Sequence, residues 1–418
     1  MRILLLNTSF PPELRSAADI CYELGQELVR RGHSVTVVTG FPRVRLSDES
    51  LFERYRGFRF SCEENWNGIK VVRVRAFPYP EQSLLARGID AFLTPLAFFL
   101  GCQRVGKQDL SWVYSPPLTL GLAALDLKWQ RGVACVFNAQ DIYPQTLIDL
   151  GLMKNRLLIK VFEWIERLVY RHVDQIVVHS NGNREYLVTR KLVPAEKIAV
   201  IPNWVSADAA ESAEDGISFR REHGLEDKFV VSYAGVMGYA QDLSAIIDAA
   251  YELKPYADIV FLLVGEGVRE KAWKSRVEQL ELPNVKFLPL QPQPTYLALL
   301  NASAVGLVPL TDQLRTPAVP GKLSRIMGTG RPVIAIVNSA GDATEIIKEA
   351  NCGYIISPGN SQRLAEAVLE LYRDPALVKR LGENGRRYAE QHFSLSAGVT
   401  AYENLFRKIV PSQTMECC

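Results

Sequence analysis

The chain has no long hydrophobic run. Its longest apolar stretch, about Ala91 to Cys102, contains Pro95 and falls well short of the ~20 residues that span a bilayer. The first residues, Met1-Arg2-Ile3-Leu4-Leu5-Leu6-Asn7, are too short an apolar run for a signal peptide and read as a buried strand. Histidine is scarce, with five in 418 residues. The seven cysteines are scattered, none in a Cys-x-x-Cys pair, which argues against a zinc site or a disulfide framework. Several lie in apolar patterns, where a free thiol acts as a small hydrophobe, and a reducing cytoplasm is expected. Net charge is only +2, so no whole-molecule field favours nucleic acid as a partner. No carboxylate cluster suited to a divalent metal stands out, and no Gly-x-Gly-x-x-Gly fingerprint is present. Fixed-period repeats and low-complexity segments are also missing.

What is present is an alternation of short apolar runs with longer helical patterns. In the first half the strands read Ile3–Leu6, Ser34–Thr39, Val71–Arg75, Trp112–Tyr114, Ala134–Asn138, Gln175–Val178 and Ile198–Ile201. Most are continuously apolar, as parallel strands covered on both faces are. Between the first two, Ile20, Leu24, Glu27, Leu28 and Arg31 keep helical spacing, and Gly32 stands where a helix ends. Residues 206–227 are rich in Ala, Ser, Glu, Asp and Gly and carry no strand pattern. A second series follows, at Val230–Tyr233, Ile259–Val264, Val285–Leu288, Val305–Pro309, Val333–Ile336 and Tyr354–Ile356, and residues 361–410 are helical in pattern. The expected organisation is therefore α/β, with two Rossmann-like, doubly wound domains facing across a cleft. The first spans 1–205, a crossover 206–227, the second 228–392, and a C-terminal helix and tail over 393–418 packs back towards the first.

Ligands in such folds sit at the carboxyl ends of the strands, so the loops there are the candidates. After the first strand, Pro12, Glu13, Arg15 and Ser16 lie in a loop that opens a helix, whose N–H groups can face an anion; a plain strand-to-helix turn reads equally well. Asn138-Ala139-Gln140-Asp141-Ile142-Tyr143-Pro144 puts a polar cluster at a strand end, although Asp141 can also be a simple cap before a proline turn. In the second half, Gly235 and Gly238, then Gly265, Glu266 and Gly267, follow two successive strands. Either glycine turn alone is weak, since glycine punctuates such turns anyway. Together they allow backbone to approach a diphosphate or a base closely. The run Val319-Pro320-Gly321-Lys322 enters a short helix that ends near Gly330. A cation at a helix start opposes the macrodipole unless an anion joins it; the alternative is a solvated lysine. Finally, residues 154–171 mix Arg156, Lys160, Arg167 and Arg171 with Leu157, Trp164 and other apolar residues. That pattern suits an anionic membrane surface, with Phe98-Phe99-Leu100-Gly101 as a second apolar patch; a core helix with one solvated face fits as well.

Taken together these residues resemble the retaining glycosyltransferase family 4, whose fold is called GT-B. The resemblance runs along essentially the whole chain. It rests on Phe10-Pro11-Pro12-Glu13, Arg30-Arg31-Gly32-His33, Gln140-Asp141-Ile142-Tyr143-Pro144 and Ile201-Pro202-Asn203-Trp204-Val205. It rests also on Tyr233-Ala234-Gly235 with Gln241-Asp242-Leu243, and on residues 319–335. The branch it looks most like serves bacterial surface polysaccharide and colanic acid synthesis, of the fucosamine-transferring type. The resemblance implies a UDP- or GDP-sugar donor, retention of anomeric configuration, no metal and no other cofactor. It implies a saccharide or lipid-linked acceptor, and a peripheral place on the inner face of the plasma membrane. On this reading Asn138, Asp141 and Lys322 are the catalytic candidates. Gly235, Gly238, Gln241, Gly265, Glu266, Gly267, Pro320, Gly321 and Arg325 bind the donor.

Three positions depart from the family pattern. Asn138 stands where many members have His. Arg325 and Pro317 stand at the two ends of what is commonly a Glu-x7-Glu pair, and Gln241 stands where a lysine is common. Lys322 is then the leading cation for the diphosphate. A second hypothesis follows from Asn138 and Arg325, a chain of the same fold without catalysis that partners an active subunit. A third, a two-domain sugar-nucleotide epimerase, needs carboxylate and histidine pairs. Of His33, His172, His179, His223 and His392, only His179 lies near a strand end.

Overall fold

The computed structural model describes residues 1–42, 55, 60–75, 84–205, 213–339 and 341–410. Two compact units emerge, Met1–Pro202 with Leu395–Cys418, and Asn203–Ser394. The first holds β1 (Arg2–Leu6), α1 (Ser16–Arg30), β2 (Ser34–Gly40), β3 (Ser61–Trp66), β4 (Ile69–Val74) and α2 (Leu84–Gln103). It continues with β5 (Leu110–Ser115), α3 (Leu120–Arg131), β6 (Ala134–Ala139), α4 (Gln145–Asp149), α5 (Arg156–His172), β7 (Gln175–Val178), α6 (Asn181–Arg190) and β8 (Ile198–Val200). Its sheet runs β3-β4-β2-β1-β5-β6-β7-β8.

The central strands are buried along their length, as their unbroken apolar runs require. All neighbours pair in parallel except β3 and β4, which form an antiparallel hairpin. That hairpin turns on Asn67 (φ 49°) and Gly68 (φ 87°), and positive φ at both central residues is what makes Asn-Gly the favoured pair for a two-residue turn. Apolar runs alone pass over β3, because Ser61-Cys62-Glu63-Glu64-Asn65-Trp66 is largely polar, as suits an edge strand.

The second unit holds α7 (Ala213–Glu222), β9 (Phe229–Ala234), α8 (Ser244–Glu252), β10 (Ile259–Val264), α9 (Glu270–Gln279), β11 (Val285–Leu288) and α10 (Gln293–Ala302). Then come β12 (Val305–Pro309), α11 (Gly321–Gly328), β13 (Val333–Ile336), α12 (Asp342–Ala350), β14 (Gly353–Ile356), α13 (Ser361–Arg373) and α14 (Pro375–His392). Its six-stranded parallel sheet runs β11-β10-β9-β12-β13-β14. The stretch expected to be a crossover thus contains a helix, α7, and its residues 206–212 lie outside the described residues.

The last helix, α15 (Leu395–Ile409), belongs to the first unit. Val399, Tyr402 and Phe406 on it are buried, and the Tyr402 ring meets Trp112 of β5 edge-on at 6.1 Å. Arg31, beyond the end of α1, donates to Glu27, to Glu403 on α15 and to the Ser396 carbonyl. Five described cysteines, Cys21, Cys62, Cys102, Cys135 and Cys352, are buried. Burial pushes the thiols of Cys21 and Cys135 up to about 12, so they pack as apolar groups.

Candidate active site

In both sheets the strand order reverses beside the first strand of the unit, at β1/β5 and at β9/β12. The loops after such strands splay apart and open a crevice. In the second unit these loops begin at Gly235, after β9, and at Leu310, after β12, and the latter leads into α11.

The two glycine turns lie backbone against backbone. Gly235 N donates to Val264 O at 2.9 Å, and Met237 N donates to Glu266 O at 2.9 Å. Gly265 has φ 140°, and a Cβ there would stand 1.8 Å from the Gly235 carbonyl oxygen. A Cβ on Gly267 would stand 2.4 Å from Met237 O. These glycines are therefore demanded first by each other's loops, a reason the sequence did not suggest. The same close packing fixes the floor onto which Lys322 folds.

Lys322 is the second residue of α11. Its Nζ would lie 3.1 Å from a Cβ at Gly235, and it sits 4.9 Å from the Tyr233 ring centroid. Tyr233 is fully buried, and its hydroxyl donates to Val236 O at 2.6 Å, which holds the ring under the ammonium. Among the described residues no carboxylate pairs with Lys322, and desolvation lowers its pKa to about 8. Pro320 precedes the helix, and no side chain caps it. The helix dipole is not the only field that acts on Lys322. The Tyr233 ring offers a cation–π contact, of about 0.5–2 kcal/mol for such geometry, which partly offsets the unfavourable dipole.

The other second-unit candidates surround this point. Gln241 is half-buried, with Oε1 3.3 Å from where a Gly238 Cβ would be. Glu266 lies between the two glycines of its turn, half-buried. Gly321 begins α11, and Arg325, one turn on, places its guanidinium 5.6 Å from the Tyr296 ring centroid. Pro317 lines a cavity of about 100 Å3 with Thr311, Arg315, Asn338, Gly341 and Thr344, beside the start of α12.

In the first unit, Asn138 is the last residue but one of β6, between Tyr114 and Val177. It is 1% exposed; its Oδ1 accepts from Gln140 Nε2 at 3.1 Å, and its Nδ2 has no partner. A buried amide donor left open points to a ligand or a water, because an unsatisfied donor is unfavourable. Asp141 reaches solvent, and the protein mass around it raises its carboxyl to about 6 by desolvation. The loop after β1 is stapled by Asn7, which donates to Ala17 O at 2.7 Å. Glu13 is buried there, Pro12 and Arg15 are half-buried, and Ser16 is exposed.

Sequence reasoning missed Arg73. This β4 arginine is fully buried and pairs with Glu64. It donates also to Gly40 O at 3.3 Å and to Pro11 O, so it ties the loop after β1 to the end of β2. The one signal was an arginine at an inward position of an apolar strand. Phe98, read as part of an apolar patch, is a core residue with no exposure, whereas Leu100 is exposed.

Two families match this chain. Residues 17–204 match the glycosyl transferase 4-like domain, and residues 217–388 match the glycosyl transferases group 1. A protein of Escherichia coli K12 described as colanic acid biosynthesis glycosyl transferase WcaI is 24% identical over 94% of this chain and 96% of its own. The sucrose-phosphate synthase of Thermosynechococcus elongatus superposes with a TM-score of 0.77 at 17% identity, covering 97% of this chain and 98% of that one. Anabaena HepE, solved with UDP and glucose, superposes at 0.71 with 18% identity, covering 98% and 100%. With both halves matched in order and the fold shared along its length, the chain belongs to the family 4 type of GT-B glycosyltransferases.

Proposed function

We propose that this glycosyltransferase moves a sugar, with retention, from a UDP- or GDP-sugar to a saccharide or lipid-linked acceptor in cell-surface polysaccharide synthesis. It would act as a peripheral protein at the inner face of the plasma membrane. The observation that carries the reading is Lys322. A cation without a carboxylate partner, at an uncapped helix start and beside two fused glycine turns, is the arrangement a diphosphate completes. HepE with UDP, on the same fold, supports a nucleotide donor, and the WcaI relative supports the polysaccharide setting.

In a same-side transfer a leaving phosphate oxygen can take the acceptor's proton. The protein's task is then to stabilise charge growing on the diphosphate, which Lys322, the helix N-terminus and backbone N–H groups supply. We assign this charge stabilisation to the protein's own groups rather than to a metal ion. The spare Nδ2 of Asn138 would donate to the sugar.

A screen of UDP- and GDP-sugars by melting temperature tests the reading. One nucleotide series raises the melting temperature, because a ligand that binds only the folded state stabilises it by mass action. A flat response to every nucleotide and nucleotide sugar would leave the partner-subunit alternative in its place.

A further inference from the structure

At the amino ends of β9, β12 and β13, the opposite end of the second sheet from Lys322, two arginines meet the last turn of one helix. There α7 closes on α10 at Gly216, where a Cβ would stand 2.9 Å from the Asn301 carbonyl carbon. One turn along α7, Arg220 donates through Nε to Ala302 O at 2.8 Å. Its Nη1 donates to Leu225 O at 2.8 Å, Glu226 O at 3.1 Å and Lys228 O at 3.0 Å. Arg331 comes from the other side. Gly330, at φ 69°, turns the chain out of α11, and Arg331 Nη2 then donates to Asn301 O at 2.7 Å.

Both side chains thus cap the last two carbonyls of α10, an end where cations are favoured. Capping does not account for the rest. Arg331 Nε and Asn301 Nδ2 are buried and have no hydrogen-bond partner. The guanidiniums donate to neutral backbone carbonyls, and among the described residues no carboxylate pairs with either. Desolvation, and then the charge of Arg220, hold the pKa of Arg331 down, and desolvation lowers that of Arg220. A water molecule would satisfy the two open donors and leave the charges opposed. The helix end supplies only about half a negative charge against two positive ones.

The geometry points to a second anion site, in which Arg220, Arg331 and the Asn301 amide hold a phosphate-type oxyanion. Guanidinium forks match the oxygens of such a group. A dianion neutralises both charges at once and gives the open donors an acceptor. All three residues are half-buried, so the site reaches solvent. It lies apart from the diphosphate site proposed at Lys322, and the inference does not rest on the transferase reading.

Melting curves and calorimetric titration of the full chain with inorganic phosphate, against sodium chloride at matched ionic strength, test the site. The parent and Lys322→Ala should both bind phosphate and melt higher with it, because a ligand of the folded state stabilises by mass action. Arg331→Gln should weaken phosphate binding at least roughly tenfold, as loss of a charge-assisted contact does. Without phosphate this variant should melt level with the parent or above it, since one of two opposed charges is gone. Arg331→Lys keeps the charge and loses the fork, so its phosphate affinity should fall between the two, and it reads the site even where Arg331→Gln does not fold. A parent chain that phosphate stabilises no more than chloride does overturns the inference. Phosphate binding that is lost in Lys322→Ala and unchanged in both Arg331 variants overturns it too. So does an Arg331→Gln variant that melts below the parent and binds phosphate as the parent does, which would leave Arg331 a helix cap alone.

Discussion

Lys322 keeps its charge where both the helix dipole and desolvation work against it, with a tyrosine ring as its compensation. Its pKa is lowered from 10.5 to about 8, and the sign of the consequence follows. Below pH 8 the folded protein carries the unfavourable charge in full. Between about 8 and 10.5 the unfolded chain binds more protons, so the parent gains stability with rising pH in that window. A diphosphate needs the ammonium and raises its pKa. Nucleotide affinity should therefore fall as pH rises through 8, and binding near pH 8 should take up protons. Calorimetry in two buffers of different ionisation enthalpy reads both. Constant affinity from pH 7 to 9.5 with no proton uptake would place the diphosphate elsewhere. Asn138 shows the complementary case, a neutral donor held open in the core, where the amide side chain cannot titrate.

At the scale of elements, the two glycine turns behave as one object. Gly265→Ala would press a Cβ into the Gly235 carbonyl and demand φ 140° of an L residue. The expected loss is about 2–4 kcal/mol of stability, together with weaker nucleotide binding, because the turn under Lys322 must shift. A denaturant midpoint within error of the parent would show that the turns separate freely. The sequence made the strands, and with them the loops at their carboxyl ends, legible because parallel strands buried on both faces write themselves as apolar runs. Val305–Pro309 and Gln175–Val178 are recovered with the same bounds. It hid β3, whose edge position lets it be polar, although Asn67-Gly68 signalled the turn. It hid the mutual packing of Gly265 with Gly235, since no local pattern encodes which backbone a glycine must make room for. Arg73 was hidden for the same reason, its partners at Pro11, Gly40 and Glu64 being brought together only by strand order.

At the scale of the molecule, the first unit is closed by the end of the chain. Val399, Tyr402 and Phe406 are buried against it, and each such side chain contributes about 1.5–3 kcal/mol. Truncation after Ser394 should therefore remove stability comparable to the ~5–15 kcal/mol of a whole domain, and the first unit should lose its cooperative melting transition. A truncated chain melting like the parent would show that α15 is an appendage. The central claim, that protein groups around Lys322 stabilise a departing nucleoside diphosphate, is tested most directly by donor turnover. The measurement is release of UDP or GDP from the nucleotide sugar that binds, by the purified chain in EDTA, with a membrane extract as acceptor source. The account predicts that the parent turns over without added metal. It predicts that Lys322→Ala and Asn138→Ala, both melting as folded proteins, are each slowed by on the order of a hundredfold or more, as lost donors to developing charge are. Turnover abolished by EDTA and restored by Mg2+ or Mn2+, or a Lys322→Ala variant as fast as the parent, would contradict it.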